Sequence, residues 1–275
     1  LALWPLFGEK IMAKGKWKSV LLGIQSLVGH RTAPDWGFIY ETSLTKAPHW
    51  ELGDRVVLPD GREFRYAKSS AACISGQGCE FTYSGYTAYT TFVVTAAVGD
   101  KEVTVPAATH AALTQDELRG GYICIFDGST NNTQFRGIIG NDAADANALF
   151  KVYLDGPLTE AVTTSSACET YQNPYAALRT GTHQDYPKAG VPAVKITAAN
   201  TYFWVQVKGL VWAAPQANLG NTGGKNGGFW HDVGNISDGA TALGVTIPAA
   251  KSCQYAGYVV SGSISGNGPL FMLQG

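Results

Sequence analysis

The chain has 275 residues, a net charge of −1, and 15% charged against 45% hydrophobic residues. That length lets about three quarters of the unfolded surface be buried, so folding needs neither disulfide nor metal, and one large or two modest domains are expected. The balanced charge leaves no electrostatic footprint for nucleic acid or an anionic membrane, and no apolar run approaches the ~20 residues needed to cross a bilayer as a helix. With 33 glycines and so few charges, the composition favours tight turns and strands over exposed helix.

Taken from the start, Gly8-Glu9-Lys10-Ile11 ahead of Met12 would be written in purine-rich codons resembling a bacterial ribosome-binding site, so translation is expected to begin at Met12. Lys14, Lys16 and Lys18, with Trp17 among them, then run into Val20-Leu21-Leu22-Gly23-Ile24. A basic stretch before a short apolar run has the outline of a signal peptide, but no small-x-small cleavage site follows before His30. Gly15, Gly23, Gly29 and Pro34 interrupt any long helix. Residues 1–49 therefore read as an extended N-terminal arm whose apolar side chains dock on a partner or a neighbouring subunit. Fully extended, residues 12–50 would reach on the order of 130 Å.

A β-rich body is expected over residues 50–190. Its first unit is a hairpin over 55–66, turned at Pro59-Asp60-Gly61, where proline presets φ and glycine accepts the positive φ that follows. A small polar loop covers 69–78, and residues 81–94 alternate aromatics and threonines as a strand. Residues 102–105 form a short strand after a turn. Thr114-Gln115-Asp116-Glu117 ahead of Leu118 fits a capping box, and Gly120-Gly121 ends the single helical turn it opens. Strands at 122–126, 134–139 and 148–154 follow, then a long connection through Gln172-Asn173-Pro174-Tyr175 and the polar run 180–192.

Residues 191–275 form a C-terminal β-rich part packed with the body. Its centre is Asn200 to Trp212, the most sheet-committed stretch of the chain. Phe203, Val205 and Val207 face one side, and Tyr202, Trp204 and Gln206 the other, so both faces are largely apolar, as in a strand covered on both sides. Gly209 marks a bulge or bend. Residues 229–232, 255–264 and 269–273 supply further strands. The fold class expected is all-β: an antiparallel sandwich or barrel of many short strands with minimal helix.

The motifs whose residue types suit chemistry fail on their own terms. In Gly220-Asn221-Thr222-Gly223-Gly224-Lys225-Asn226, a phosphate loop would need glycine where Leu219 stands and Ser or Thr where Asn226 stands. His231-Asp232 are strand neighbours pointing to opposite faces, and His183 with Asp185 offers no better relay. The five histidines lie in separate segments without metal-ligand spacing. The loop opening at Asp127 has one carboxylate where a calcium loop needs several. No Gly-x-Ser-x-Gly elbow is present. Of the five cysteines, Cys73 and Cys79 flank a glycine-containing loop and would close a small disulfide in an oxidising compartment, whereas unpaired buried thiols are commoner in proteins assembled in the cytosol. Both states stay open. Seven tryptophans and 13 tyrosines permit sugar stacking, though aromatics in strands are more often core residues. No enzyme and no cofactor are expected.

The succession Thr114-Gln115-Asp116-Glu117-Leu118-Arg119-Gly120-Gly121-Tyr122, then Gln134-Phe135-Arg136-Gly137-Ile138-Ile139-Gly140-Asn141, Gln172-Asn173-Pro174-Tyr175, Tyr202-Phe203-Trp204-Val205-Gln206-Val207-Lys208-Gly209 and Tyr255-Ala256-Gly257-Tyr258-Val259-Val260 resembles uncharacterised virion proteins of tailed bacteriophages. The resemblance covers residues 50–275 and carries turn and strand motifs without catalytic residues. It implies a capsid decoration or cement protein on the head surface of a virion assembled in the host cytoplasm. The partner implied is the major capsid protein, with Lys14, Lys16, Trp17, Lys18, Leu21 and Leu22 of the arm as the contact candidates. A homo-oligomer of closed symmetry, such as a trimer, would suit decoration. The alternative expectation is a receptor- or glycan-binding surface protein of the virion.

Overall fold

The computed structural model describes residues 36–82, 85–107, 110–127, 133–181, 186–215, 219, 227–231, 233–237, 254–261 and 268–275. The arm residues Lys14, Lys16, Trp17, Lys18, Leu21 and Leu22, the loop 220–226 and the pair His183 and Asp185 lie outside them. In chain order the strands are β1 (Arg55–Val57), β2 (Glu63–Lys68), β3 (Cys79–Phe81), β4 (Gly85–Thr91), β5 (Glu102–Val105), β6 (Tyr122–Phe126), β7 (Thr133–Asn141) and β8 (Phe150–Leu154). After these come β9 (Ala167–Tyr171), β10 (Leu178–Thr180), β11 (Lys188–Pro192), β12 (Tyr202–Trp212), β13 (Gly227–Trp230), β14 (Ile236–Ser237), β15 (Tyr255–Ser261) and β16 (Leu270–Leu273). Two 3-10 turns, Gly37–Tyr40 and Pro174–Ala176, are the helical elements among the described residues. The protein is all-β, with two curled antiparallel sheets. No helix among the described residues is long and apolar enough to cross a membrane.

The chain divides into two compact units, residues 1–81 with 177–275 and residues 82–176. This differs from the division expected at residue 190, because β3 and β11, on either side of that middle stretch, pair with each other, and β2 pairs with β12. The first unit holds a 10-stranded sheet in the order β10-β3-β11-β12-β16-β15-β13-β14, with β2 on β12 and β1 on β2. The second holds a 6-stranded sheet in the order β4-β9-β6-β7-β8-β5. Strands β9, β10 and β11 fall where the sequence reads as a connection or is silent. They are short, and two of their polar residues are buried against polar partners on neighbouring strands, Thr170 on Thr87 and Lys188 on Glu80.

Within the first unit, β12 is covered as its pattern predicts: Phe203, Trp204, Val205, Gln206 and Val207 are all buried. Val205 lies opposite both Arg65 and Pro192, so both edges of the strand are occupied there. The hairpin turn forms at Gly61, whose φ is +85°, with the Gly61 N–H donating to the Leu58 carbonyl at 3.0 Å. Around Trp204 gather Ile39, Phe64 and Tyr66 in one buried cluster, with Phe38 and Trp50 packed on it. Trp50 meets Trp204 edge-on at 4.9 Å and stacks with Phe38 at 5.6 Å. Ser43 and Tyr202 exchange backbone hydrogen bonds of 3.1 and 2.7 Å. Residues 36–49, expected to belong to the arm, are therefore part of this unit's core.

The second unit is built around Phe92, Val103, Val105, Ile123, Ile125, Ile138, Phe150, Val152 and Leu154, all buried. The expected helical turn at 114–120 is instead a run of tight turns. Glu117 accepts the Thr114 N–H at 2.9 Å, which is half of the capping box. Asp116, however, sits at φ +60°, and the Leu118 N–H is taken by Oδ1 of the buried Asn141 at 2.8 Å. A positive φ inside the turn and a side-chain acceptor for its amide stop a helix from propagating.

Removing residues 1–35 is expected to leave the urea-unfolding midpoint of the first unit within experimental scatter. Removing residues 1–48, which takes away Ile39, Phe38 and the Ser43–Tyr202 pair, should destabilise it by ~3–5 kcal/mol. Equal midpoints for the two truncations would refute the assignment of 36–49 to the core.

Candidate interaction surfaces

The most concentrated charge in the interior is a carboxylate clamp. Glu80 at the centre of β3 is fully buried, with Lys188 opposite it on β11 and Arg179 opposite it on β10. Lys188 Nζ donates to one carboxylate oxygen at 2.8 Å and Arg179 Nε to the other at 2.9 Å. The Gln254 amide closes the cluster: its Oε1 accepts the Lys188 N–H at 2.6 Å, and its Nε2 donates to the Lys188 carbonyl at 3.0 Å. With both carboxylate oxygens held by cations on neighbouring strands, the group serves to tie three strands together.

The remaining candidates are structural in the same sense. His110 is buried with Nδ1 2.6 Å from the Ala111 carbonyl oxygen and Nε2 2.9 Å from that of Ala148, a position that joins two loops. Among the described residues no group of three or more His, Cys, Asp or Glu side chains is arranged to hold a metal ion. Cys73, Cys79, Cys124 and Cys168 are free thiols. Cys79 is paired with Thr180 on one edge of β10, while the Thr180 N–H points the other way to Ala72. The two thiols nevertheless meet, the Cys73 and Cys79 side chains lying within hydrogen-bond reach of each other as free, buried thiols.

What the structure adds is a pair of exposed apolar sheet faces, one in each unit. Residues directly opposite in an antiparallel pair share a face, and neighbours along a strand alternate. In the second unit Ile123, Ile125 and Ile138 face the core. Tyr122 therefore points outward, beside Tyr171 on β9 and Gly137 on β7; Cys124 lies between Glu169 and Phe135, and Phe126 between Ala167 and Thr133. Phe135 is 57% exposed and stacks on Tyr122 at 5.1 Å with 15° between the planes. Tyr89, also exposed, meets Phe126 at 5.5 Å, and Ile139 extends the band. The Tyr171 hydroxyl donates to the Glu169 carboxylate on this face, and the Asp155 carboxylate lies over Gly137 beside Tyr122.

In the first unit the outward face of β12, β16 and β15 carries Leu210, Met272 and Tyr258 in one row, and Trp212 and Leu270 in the next, with Val260 at a bulge beside them. Phe271 and Leu273, the alternate residues of β16, are buried beneath. The Trp212 ring lies against backbone: a Cβ on Gly76, at φ +78°, would stand 2.1 Å from it, so glycine is required there on two counts. Comparison of the chain with protein-family models, with curated proteins and with solved structures finds no match.

Two predictions follow from these environments. Lys188→Met should cost ~3–5 kcal/mol in urea unfolding, because it strips one cation from a buried carboxylate; a loss below ~1 kcal/mol would show that Arg179 alone suffices. Burial pushes the Cys168 thiol up to about 12 and that of Cys79 well above its ordinary value. Partial burial and then the Glu169 carboxylate raise Cys124 as well, but its side chain is partly exposed. Among the four described cysteines, iodoacetamide at pH 8 followed by peptide mapping should therefore modify Cys124 first, with Cys73, Cys79 and Cys168 spared until the protein unfolds.

Proposed function

We propose that the chain is a non-enzymatic structural protein of a tailed-phage virion, a decoration or cement protein that binds the head surface and bridges neighbouring subunits of the major capsid protein. The observation that supports it most directly is the pair of exposed apolar sheet faces, each on its own compact unit. Contiguous exposed apolar surface of this kind marks interaction sites. Two such faces joined in one chain make a bivalent contact in which binding at one raises the effective concentration of the other. The motif resemblance supplies the phage setting, with assembly in the host cytoplasm and the head surface as the location.

A second reading has its own observation. The near-parallel, stacked Tyr122 and Phe135 rings, with Tyr89, Phe126 and the Glu169 carboxylate around them, offer aromatic surface on which a sugar ring could stack. A receptor- or glycan-binding role for the second unit would use that face.

The test is co-elution of the purified chain with expanded empty capsids by size-exclusion chromatography with light scattering. Stoichiometric binding and a raised melting temperature of the shell are expected. Phe135→Lys is expected to weaken binding at least tenfold, and loss of residues 1–35 to lower occupancy. No binding to capsids would overturn the proposal, and a glycan-array signal lost in Phe135→Lys would favour the second reading.

A further inference from the structure

We infer that the outward face of β12, β16 and β15 is a homotypic contact: it takes the same face of a second copy of this chain across a two-fold axis. The inference rests on the reading of these faces as contact surfaces, and it assigns one of them. Leu210, Trp212, Tyr258, Val260 and Leu270 are between 39% and 49% exposed, and Met272 lies between them. Together they present on the order of 400 Å² of apolar surface, at the size where a patch on a soluble protein is normally functional. Their composition, with Trp, Tyr and Met among aliphatic side chains, matches the anchors of a protein interface.

Charge decides between the two faces. On the second unit's face a two-fold axis would bring Glu169 towards its own copy, in surroundings of aromatic rings that screen poorly. None of the six residues on the first unit's face is charged, and exposed Lys208 stands two residues before Leu210 at its border. Net charge per chain is −1, so two copies meet without global repulsion. Area then sets the form of the contact. A stable dimer needs roughly 800 Å² per partner. The six side chains supply about half of that as a dry centre, leaving a polar rim to supply the rest. A patch that meets itself closes at two copies.

The full-length chain, measured by sedimentation velocity and light scattering from ~1 to ~100 µM, should reach twice the monomer mass. Leu270→Lys places a charge against its counterpart and should shift the dissociation constant at least tenfold toward monomer, with the melting temperature of the monomer retained. Tyr258→Lys, in the other row, should do the same and decides the matter if Leu270→Lys does not fold. A wild-type monomer throughout the range, or a dimer that survives both variants, overturns the inference. Capsid binding by a wild-type monomer would likewise overturn it while leaving the decoration reading in place, whereas a dimer that ignores capsids would do the reverse.

Discussion

The first unit depends on one strand changing partners partway along its length. The first half of β12 is paired with β2 through Lys208, and the second half, from Gly209, is paired with β16. Gly209 sits at φ +94°, and a Cβ there would stand 2.8 Å from the Arg62 Cα and 3.1 Å from the Gly61 carbonyl oxygen. Only a residue without a side chain both adopts that backbone and tolerates the hairpin turn lying against it. The register slips between Gln206 and Lys208, just before the change of partner. Everything beyond it, including Leu210 and Trp212 on the exposed face, is aimed by that bend.

A second constraint explains how the other unit is accommodated. The chain leaves the first unit after Phe81 and returns at Ala177, and Phe81 is the direct antiparallel partner of Leu178. Departure and return are thus neighbouring positions on paired strands, the arrangement that lets a compact unit be inserted without opening its host. The next rung is Glu80 with Arg179, and Lys188 reaches the same carboxylate from the other side. A buried ion pair is a poor source of net stability compared with apolar packing. Its placement one rung inside the junction gives it a different value, since a shifted register would leave a charge buried without its partner.

How far the sequence reveals this depends on which signals are local. The hairpin at 55–66 is legible because proline and glycine act on their own backbone, and β12 because seven of its eleven residues are aromatic or β-branched. Strand β6 and strand β5 were equally plain from alternation. The boundaries of the second unit were not, because they are set by the pairing of Phe81 with Leu178, two positions almost a hundred residues apart with nothing unusual about either. Residues 36–49 read as arm because Trp36, Phe38 and Ile39 lack periodicity; their packing is defined by a cluster of distant residues, Phe64, Tyr66 and Trp204 among them. The capping box was visible, but Asn141, which diverts the turn, comes from a distant strand.

The contact faces belong to the same category of hidden information, and for a reason specific to sheets. Phe203 and Phe135 look alike in sequence, each an aromatic in an apolar run, yet one is fully buried and the other 57% exposed. Alternation says that two sets of side chains point in opposite directions; it does not say which set meets the core when both are apolar. In β6 and β7 the choice is made by Ile123, Ile125 and Ile138 joining one cluster, which turns Tyr122 and Phe135 outward together and brings them into register. A patch of this sort therefore has no motif. It exists only once three or more strands are aligned, so a protein working through such faces will show unremarkable strands in its sequence and a concentrated surface in its fold.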